Sequence, residues 1–369
     1  MIRRESYVYE GIQALRFIAA ILVVVTHSTL YASSRLVDGL PVWSAGAAGV
    51  DIFFVISGFV MVVSSEHLNG RPDGASVFAR NRLIRIVPLY WLVTTVKLIV
   101  LLLVPALAMN NQVDGFHVFS SYMFLPARSP AGELVPLLEI GWTLNFEMFF
   151  YAVFALALLL RVQPVSAAAV TFIGLSLLAL FRQPDWPAVA FWCDVILLEF
   201  LAGMIVGRLA LRGTRMQPHI ALVVAVAGFC LLLSGWTFEH PMLRVVQWGL
   251  PATMIVAAVA LSESWLHGRV PIVLKRLGDS SYSLYLIHPL VAPIPAALLA
   301  RADVRVAWLS IFLSMACAVV ASLVLYRLFE RPVTRKLKEW LDSRRASTSV
   351  SGSDFEDTLS RRRTRHNAL

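Results

Sequence analysis

Ten runs of about twenty mostly apolar residues follow one another along the chain, and they constrain its fold more than any other feature. A run of this length is what an α-helix needs to cross a bilayer. Because lipid offers the backbone no hydrogen-bond partners, only helices and closed barrels span it. The chain is 58% hydrophobic and 15% charged, which excludes a soluble globular protein. We predict an all-α, polytopic membrane protein with about ten transmembrane helices around a polar cavity. The runs are 15–33, 46–64, 83–105, 142–160, 165–181, 188–207, 219–238, 244–262, 280–300 and 306–328.

Basic residues in the connecting segments predict the orientation of these helices. Cytoplasmic loops are enriched in Lys and Arg, and alternate connections here hold clusters such as Arg208, Arg212 and Arg215. The asymmetry predicts that both termini are cytoplasmic. It also explains the net charge of +9 better than binding to nucleic acid does. We expect a transmembrane domain at 1–340 and a disordered, basic cytoplasmic tail at 341–369, which is too polar to fold alone.

The first apolar run carries two ionisable residues, Arg16 and His27. Their spacing of eleven residues corresponds to about three helical turns, so both side chains lie on one face. Ionisable groups at membrane depth normally face a bundle interior or a water-filled path. We therefore expect both to face the cavity. Two alternatives stay open: Arg16 only reaches back to the interface, and His27 only bonds a backbone carbonyl.

Two acidic residues are predicted to lie at the depth of His27. If the first two helices form a hairpin, Asp51 follows the segment that connects them by about as many residues as His27 precedes it, so both lie at the same depth. Glu147, on the fourth predicted helix, enters the membrane from the same side. An imidazole and carboxylates in one layer suit general acid and base chemistry. Either acid can also be a helix-start residue favoured by the helix dipole, and that alternative stays open.

Arginines are predicted to gather at the opposite, cytoplasmic end of the cavity. Arg82 and Arg85 are three residues apart on the third predicted helix and share a face, and Arg16 starts the first helix at the same level. Guanidinium groups bind phosphates through paired N–H donors. This end suits the phosphates of a carrier molecule, although arginines that only anchor a helix at the cytoplasmic surface would show the same pattern.

Other polar residues in the apolar runs have no assigned chemistry. Ser57 and Gly58 are interpreted as small packing residues. His288 is interpreted either as a residue that supports the site or lines the acceptor path, or as a structural histidine, and Glu199 is left without a role. The three cysteines stand singly in apolar runs, so we expect neither a disulfide framework nor a metal site.

Five motifs, in order, resemble those of the acyltransferase-3 family of membrane enzymes, which modify cell-surface carbohydrates. Together they cover about residues 8–332, and no single one would be specific. The closest similarity is to bacterial exopolysaccharide acetyltransferases of the succinoglycan type. The motifs are Arg16 with His27, GVDIFFVISGF at 49–59, Arg82 and Arg85 followed by IVPLYW, WTLNFEMFFY at 142–151 and GDSSYSLYLIHP at 278–289.

The resemblance implies a donor, binding residues and a cellular setting. The donor is acyl-CoA, acetyl-CoA as first choice, bound from the cytoplasm as a substrate with Arg82 and Arg85 on its phosphates. Arg16 is implied as a donor-side partner of the essential imidazole, His27, and Glu147 stands at the acidic position of the family motif. The implied location is the bacterial cytoplasmic (inner) membrane. The implied partners are membrane lipid, a carbohydrate or lipid-linked oligosaccharide acceptor, and polysaccharide-export machinery.

We interpret His27 as the general base that deprotonates an acceptor sugar hydroxyl, which then attacks the thioester. Asp51 or Glu147 is expected to fix the imidazole tautomer, and an acyl-histidine intermediate is a variant of this mechanism. The rival function is a transporter that exports a glycan or small anion through the same cavity without chemistry. Discontinuous helices and paired repeats would favour it, and neither is evident in the sequence.

Overall fold

The computed structural model describes residues 9–103, 113–183, 185–234 and 243–343, and their regular structure is helical throughout. The predicted all-α class is confirmed. Helices long and apolar enough to cross a bilayer recur along the chain, as expected for a membrane protein. The α-helices of these residues are α1 (Glu10–Arg35), α2 (Gly49–Ser65), α3 (Gly74–Leu103), α4 (Gly115–Tyr122), α5 (Trp142–Leu159), α6 (Pro164–Leu178), α7 (Leu197–Leu211), α8 (Pro218–Leu233), α9 (Leu250–Leu261), α10 (Glu263–Leu266), α11 (Ile272–Asp279), α12 (Ser281–Val291), α13 (Pro293–Arg301) and α14 (Ala307–Leu325).

Seven candidate spans lie within the described residues where ten were expected of the chain, so that prediction is met only in part. They correspond to the first five predicted runs and the last two. The long final helix continues beyond the boundary predicted at 340, and residues 344–369 of the predicted tail lie outside the described residues. The spans are Glu10–Arg35, Ser44–Leu68, Gly74–Leu103, Glu139–Leu159, Pro164–Phe181, Ser281–Arg301 and Ala307–Ser343.

The remaining three runs form shorter helices, because an apolar run need not be helical along its whole length. In the sixth run a short 3₁₀ turn, Ala188–Trp192, comes first. Asp194 Oδ1 then accepts a hydrogen bond from the N–H of Ile196 at 3.0 Å, and α7 begins only at Leu197. The seventh and eighth runs form the apolar helices Pro218–Leu233 and Val245–Leu261, both under 18 residues.

The helix α2 packs closely on α7 through two glycines. A Cβ atom on Gly58 would lie 2.0 Å from the carbonyl oxygen of Phe200, and one on Gly203 would lie 1.9 Å from that of Val55. Real Cβ atoms do not approach so closely, so only glycine permits this crossing, as small residues do in membrane helix pairs. The prediction of Gly58 as a packing residue is confirmed.

The N-terminus of α1 is capped by a residue from far along the chain. The N–H groups of Glu10 and Gly11 donate to the carboxylate of Glu263, at 2.6 and 3.0 Å. Lys275 Nζ in turn donates to Glu10 at 2.8 Å. Burial raises the pKa of the Glu263 carboxyl, while the two amide hydrogen bonds oppose that rise. These contacts hold the first two turns of α1, and with them Arg16, against α10 and α11.

Candidate active site

A cavity of about 1000 Å³ lies between α1, α2, α3, α5 and α12. It contains a mixture of charged, hydroxyl and aromatic side chains, as expected of a binding site within a membrane bundle. One end, near the N-termini of α1 and α3, is lined by arginines, and the other lies at the N-terminus of α5. The polar side chains that line it include Arg16, Arg82, Arg85, Glu147, Tyr151 and Tyr285.

The arginine cluster, formed by Arg16, Arg82 and Arg85, occupies one end of this cavity. The charges of Arg16 and Arg85 interact, as do those of Arg82 and Arg85. Arg82 Nη2 donates to Ser64 Oγ at 2.6 Å, and its guanidinium carbon lies 5.5 Å from the centre of the Phe78 ring. The buried Arg82 Nε has no hydrogen-bond partner among the described residues. Three neighbouring guanidiniums repel one another, so the cluster favours an anionic ligand.

Three acids lie near the arginine cluster. Glu147, Glu330 and Asp279 all interact electrostatically with Arg16. Glu330 lies in a π-helical turn after α14, and its Oε2 accepts a short hydrogen bond from Ser283 on α12. Sequence reasoning missed Glu330, because it stands outside the predicted apolar runs. These acids hold the arginines in place and offset positive charge at this end of the cavity.

Glu147 is held by two hydroxyl groups. Ser57 Oγ donates to Glu147 Oε1 at 3.0 Å, and the Tyr151 hydroxyl donates to the same oxygen. Ser57 therefore bonds this carboxylate, in addition to the packing role predicted for it. Tyr151 was missed, although its position one helical turn after Glu147 is a signal that could have found it. The two donors fix the carboxylate in the cavity wall.

His27 does not line the cavity and is linked to it through two other rings. Its Nδ1 lies 2.9 Å from the carbonyl oxygen of Val23, and its ring centre lies 4.9 Å from that of His288. His288 in turn lies 5.9 Å from Tyr285, which does line the cavity. The other aromatic neighbour of His27 is Tyr31, at 6.4 Å. Tyr285 and His288 therefore form a layer between His27 and the cavity.

A backbone carbonyl determines the tautomer of His27. A carbonyl oxygen can only accept, so the hydrogen bond to Val23 places the ring hydrogen on Nδ1 and leaves Nε2 with its lone pair. We had expected Asp51 or Glu147 to do this. Glu147 bonds Ser57 and Tyr151 instead. A lone pair on Nε2 is what a general base requires.

Asp51 lies in a different cluster from the one predicted. Its carboxylate is fully buried, and its Oδ2 lies 3.0 Å from Arg244 Nη2. It also interacts with the buried carboxyl of Glu199 on α7. Arg244 stacks over the ring of Trp248 at 4.5 Å. The hairpin argument predicted the depth of Asp51 but not the rotation of α2 about its axis, which turns this side chain toward α7 and α9.

The remaining chemistry of the described residues is simple. No group of three or more His, Cys, Asp or Glu side chains among them is arranged to hold a metal ion. The cavity instead offers guanidiniums for an anion and a carboxylate fixed by two hydroxyls, with Tyr285 and His288 packed between it and His27.

Comparison with known proteins decides the family. The family model described as an acyltransferase domain, acyltransferase-3, matches residues 9–327. The chain belongs to the acyltransferase-3 family. The predicted enzyme class, an acyltransferase, is thereby confirmed, and the rival transporter function is not what this family model describes.

Named relatives of this acyltransferase agree with that assignment. The exopolysaccharide production protein ExoZ of Rhizobium meliloti is 34% identical over 322 residues, covering 84% of this chain and 95% of that protein. The O-acetyltransferase OatA of Staphylococcus aureus is 25% identical over 88% of this chain and 57% of its own length. The acyltransferase MdmB of Streptomyces mycarofaciens is 25% identical over 76% of this chain and 78% of its own. No solved structure matches the chain significantly.

Proposed function

We propose that this membrane acyltransferase moves an acyl group, acetyl as first choice, from acyl-CoA to a hydroxyl of an exopolysaccharide or other cell-surface sugar. The observation that carries the proposal is the cavity, which joins the arginine cluster, with Glu147 beside it, to Thr143 and Tyr285 at the N-terminus of α5. The names of ExoZ and OatA, one for exopolysaccharide production and one for O-acetyl transfer, support the acceptor and the acyl group.

The donor enters the cavity from the arginine end. Arg82 and Arg85 bind the phosphates of CoA, since planar guanidiniums pair with phosphate oxygens through two N–H donors. Arg16, deeper along α1, adds positive charge behind them. About 1000 Å³ is enough to hold the extended arm of CoA with its thioester at the α5 end. CoA is here a substrate that is consumed.

The acyl transfer itself uses His27 as general base. The Nε2 lone pair takes the proton of the acceptor hydroxyl as its oxygen attacks the thioester carbonyl. The carbon–sulfur bond then breaks, and the departing thiolate takes up the proton that His27 held. The ester and free CoA are the products. General base assistance of this kind contributes about 10²- to 10⁴-fold to the rate.

The position of His27 behind Tyr285 suggests that donor and acceptor approach from opposite sides. The thioester arrives along the cavity, and Tyr285 moves aside to let it reach His27. The acceptor hydroxyl arrives from the side of Tyr31, one turn after His27 on α1. Glu147 lies on the donor side of the cavity. Asp51 binds Arg244 and does not contact His27.

We place the enzyme in the bacterial cytoplasmic membrane with both termini in the cytoplasm. The uneven distribution of arginine among the connecting segments supports this orientation. It puts the arginine cluster at the cytoplasmic face, where acyl-CoA is found. A carbohydrate or lipid-linked oligosaccharide is then acylated toward the outer face, beside the machinery that exports it.

Purified enzyme in lipid nanodiscs tests the proposal directly. It is given radiolabelled acetyl-CoA and the host's own surface polysaccharide, stripped of its esters with mild alkali. We expect label to enter the polysaccharide as an alkali-labile ester, with one thiol released for each ester. In a deletion strain, polysaccharide should still reach the surface without that ester. Loss of surface polysaccharide together with no transfer in nanodiscs would support export and overturn the proposal.

A further inference from the structure

His288 is a fully buried residue of α12 whose ring is satisfied on one side only. Pro289 has no N–H, so the carbonyl of Tyr285, four residues earlier, receives no helical hydrogen bond from it. His288 Nδ1 lies 3.3 Å from the carbonyl oxygen of Leu284 and also interacts with the carbonyl of Tyr285. Because carbonyls only accept, the ring hydrogen lies on Nδ1. The buried Nε2 has no partner among the described residues.

His27 and His288 form a histidine pair with matching tautomers. The rings meet edge to face, with centres 4.9 Å apart and planes 62° apart. In each ring Nδ1 is bonded to a backbone carbonyl of its own helix. Each Nε2 therefore carries a lone pair, and that of His288 is left without a hydrogen-bond partner among the described residues. A buried, unbonded acceptor costs free energy, so such a group normally has a purpose.

Among the described residues, the two carboxylates predicted to support His27 are bonded to other groups, and Glu139 interacts with Tyr31, the ring neighbour of His27. On α2, Asp51 is paired with Arg244 from the turn before α9. On α5, Glu147 is bonded to Ser57 and Tyr151. The titratable side chains in ring contact with the pair are Tyr31 on α1 and Tyr285 on α12, and both are neutral phenols at ordinary pH. On α14, Ala318 packs beside α1 and α12.

We propose that His288 is a positioning residue for His27, which orients its ring and stabilises the charge that His27 gains when it takes the proton of the acceptor hydroxyl. The inference rests on the proposed general-base role of His27. When His27 becomes protonated, the lone pair and the ring face of His288 are the polar groups that stabilise the cation. After the acyl transfer the proton leaves to the CoA thiolate, and both rings are neutral again.

Removing His288 should weaken the affinity of His27 for its proton. The enzyme would then stay active to lower pH but turn over more slowly, because a weaker base removes the hydroxyl proton less readily. In His288→Gln we expect the acidic side of the kcat/KM profile to move down by about one pH unit, and kcat at neutral pH to fall about tenfold. KM for acetyl-CoA should change little, since His288 does not line the cavity.

The test measures acetyl transfer from acetyl-CoA to de-esterified host polysaccharide, by enzyme in nanodiscs, from pH 5 to 9. His117→Gln is the matched control, because His117 is also buried and bonds a backbone carbonyl, 2.8 Å away at Val135, but lies in α4. We expect it to keep the wild-type profile. A His288→Gln enzyme with a wild-type profile would overturn the inference, whatever its rate.

A second measurement, on the wild-type protein, tests the inference if the His288→Gln enzyme does not fold. In wild-type protein labelled with nitrogen-15 histidine, the Nε2 signals of His27 and His288 should shift together over one pH range. A His288 signal that stays constant while that of His27 moves would overturn the inference. His27→Ala separates this result from the broader proposal: if that variant keeps full transfer, the general-base role of His27 itself fails.

Discussion

Two polar regions inside the bundle contain the same kinds of residue and differ in what surrounds them. The arginine cluster, Arg16, Arg82 and Arg85, opens onto a cavity of about 1000 Å³. The buried triad, Asp51, Glu199 and Arg244, has no such space: Asp51 is fully buried and Glu199 is 1% exposed. Ionisable residues in a membrane helix thus indicate a binding site only where there is volume beside them.

The balance of charge differs in the same way. The cavity has three clustered guanidiniums, with Glu147, Glu330 and Asp279 in electrostatic contact with Arg16 and open volume beside them that a ligand can enter. The triad has two carboxyls and one guanidinium, with both oxygens of Glu199 lacking a hydrogen-bond partner among the described residues. A second buried carboxylate beside Asp51 would be costly. A carboxyl that keeps its proton can instead donate to Asp51, which makes the triad neutral and complete in itself.

Asp51→Ala gives the largest effect on stability. It removes the hydrogen-bonded partner of Arg244 and leaves Glu199, which has no hydrogen bond to that guanidinium, as the remaining acid of the triad. Because one end of Arg244 reaches solvent, we expect a loss of about 3 kcal/mol, toward the low end for a broken buried pair. Thermal unfolding in nanodiscs measures it. Near wild-type stability combined with complete loss of transfer would contradict our account and favour a catalytic Asp51.

Arg85→Ala should instead weaken donor binding. The loss of one charge-assisted phosphate contact is expected to raise KM for acetyl-CoA about tenfold and to leave KM for the polysaccharide unchanged. Arg80→Ala is the control, because Arg80 lies on the same helix but pairs with Asp342 at 3.5 Å and does not line the cavity. Equal changes in both KM values would contradict the phosphate role.

Sequence reasoning predicted well what depends on helical spacing. The fold class, the bounds of most long helices and the common face of Arg82 and Arg85 follow from periodicity alone. The predicted hairpin of the first two helices puts His27 and Asp51 at one level, but it does not predict the direction in which each side chain points. The tautomer of His27 depends on its hydrogen bond to the carbonyl of Val23. Every histidine inside a helix has the carbonyl four residues earlier within similar reach. That contact is invisible in a sequence read for side-chain partners.

Long-range contacts were beyond prediction for the same reason. Glu330 meets Ser283 and the arginines only because α12 and α14 pack together. His288 faces His27 only once α12 lies against α1. Its sequence signal was limited to a histidine before a proline in an apolar run, which also fits a structural residue. The sixth predicted run forms a helix shorter than a full span among the described residues, because Asp194 delays the start of α7.

Glu263→Ala should have a smaller effect than Asp51→Ala in the triad and Arg85→Ala in the cavity. It removes the acceptor for the N–H groups of Glu10 and Gly11, and loss of such a cap costs about 1 kcal/mol. Glu263→Gln keeps one acceptor oxygen and should recover about half. Hydrogen exchange of the first turn of α1 measures the change. Unchanged exchange in Glu263→Ala would show that this cap does not hold α1.

Glu199→Gln is expected to have the smallest effect. An amide resembles a protonated carboxyl in size and can donate to Asp51, so stability and transfer should stay within about 0.5 kcal/mol of wild type. Glu199→Leu is the matched comparison, since it cannot donate and should be clearly less stable. A Gln variant as unstable as the Leu variant would show that Glu199 is charged, and would remove the neutral triad from the comparison.

The most direct measurement of the central claim is the ester content of surface polysaccharide from a strain whose only copy carries His27→Ala. Mass spectrometry compares it with the wild type at equal amounts of enzyme in the membrane. Our account predicts that the acyl ester is lost while polysaccharide is still exported. An unchanged ester content would contradict the role of His27 and the two-sided reaction built on it.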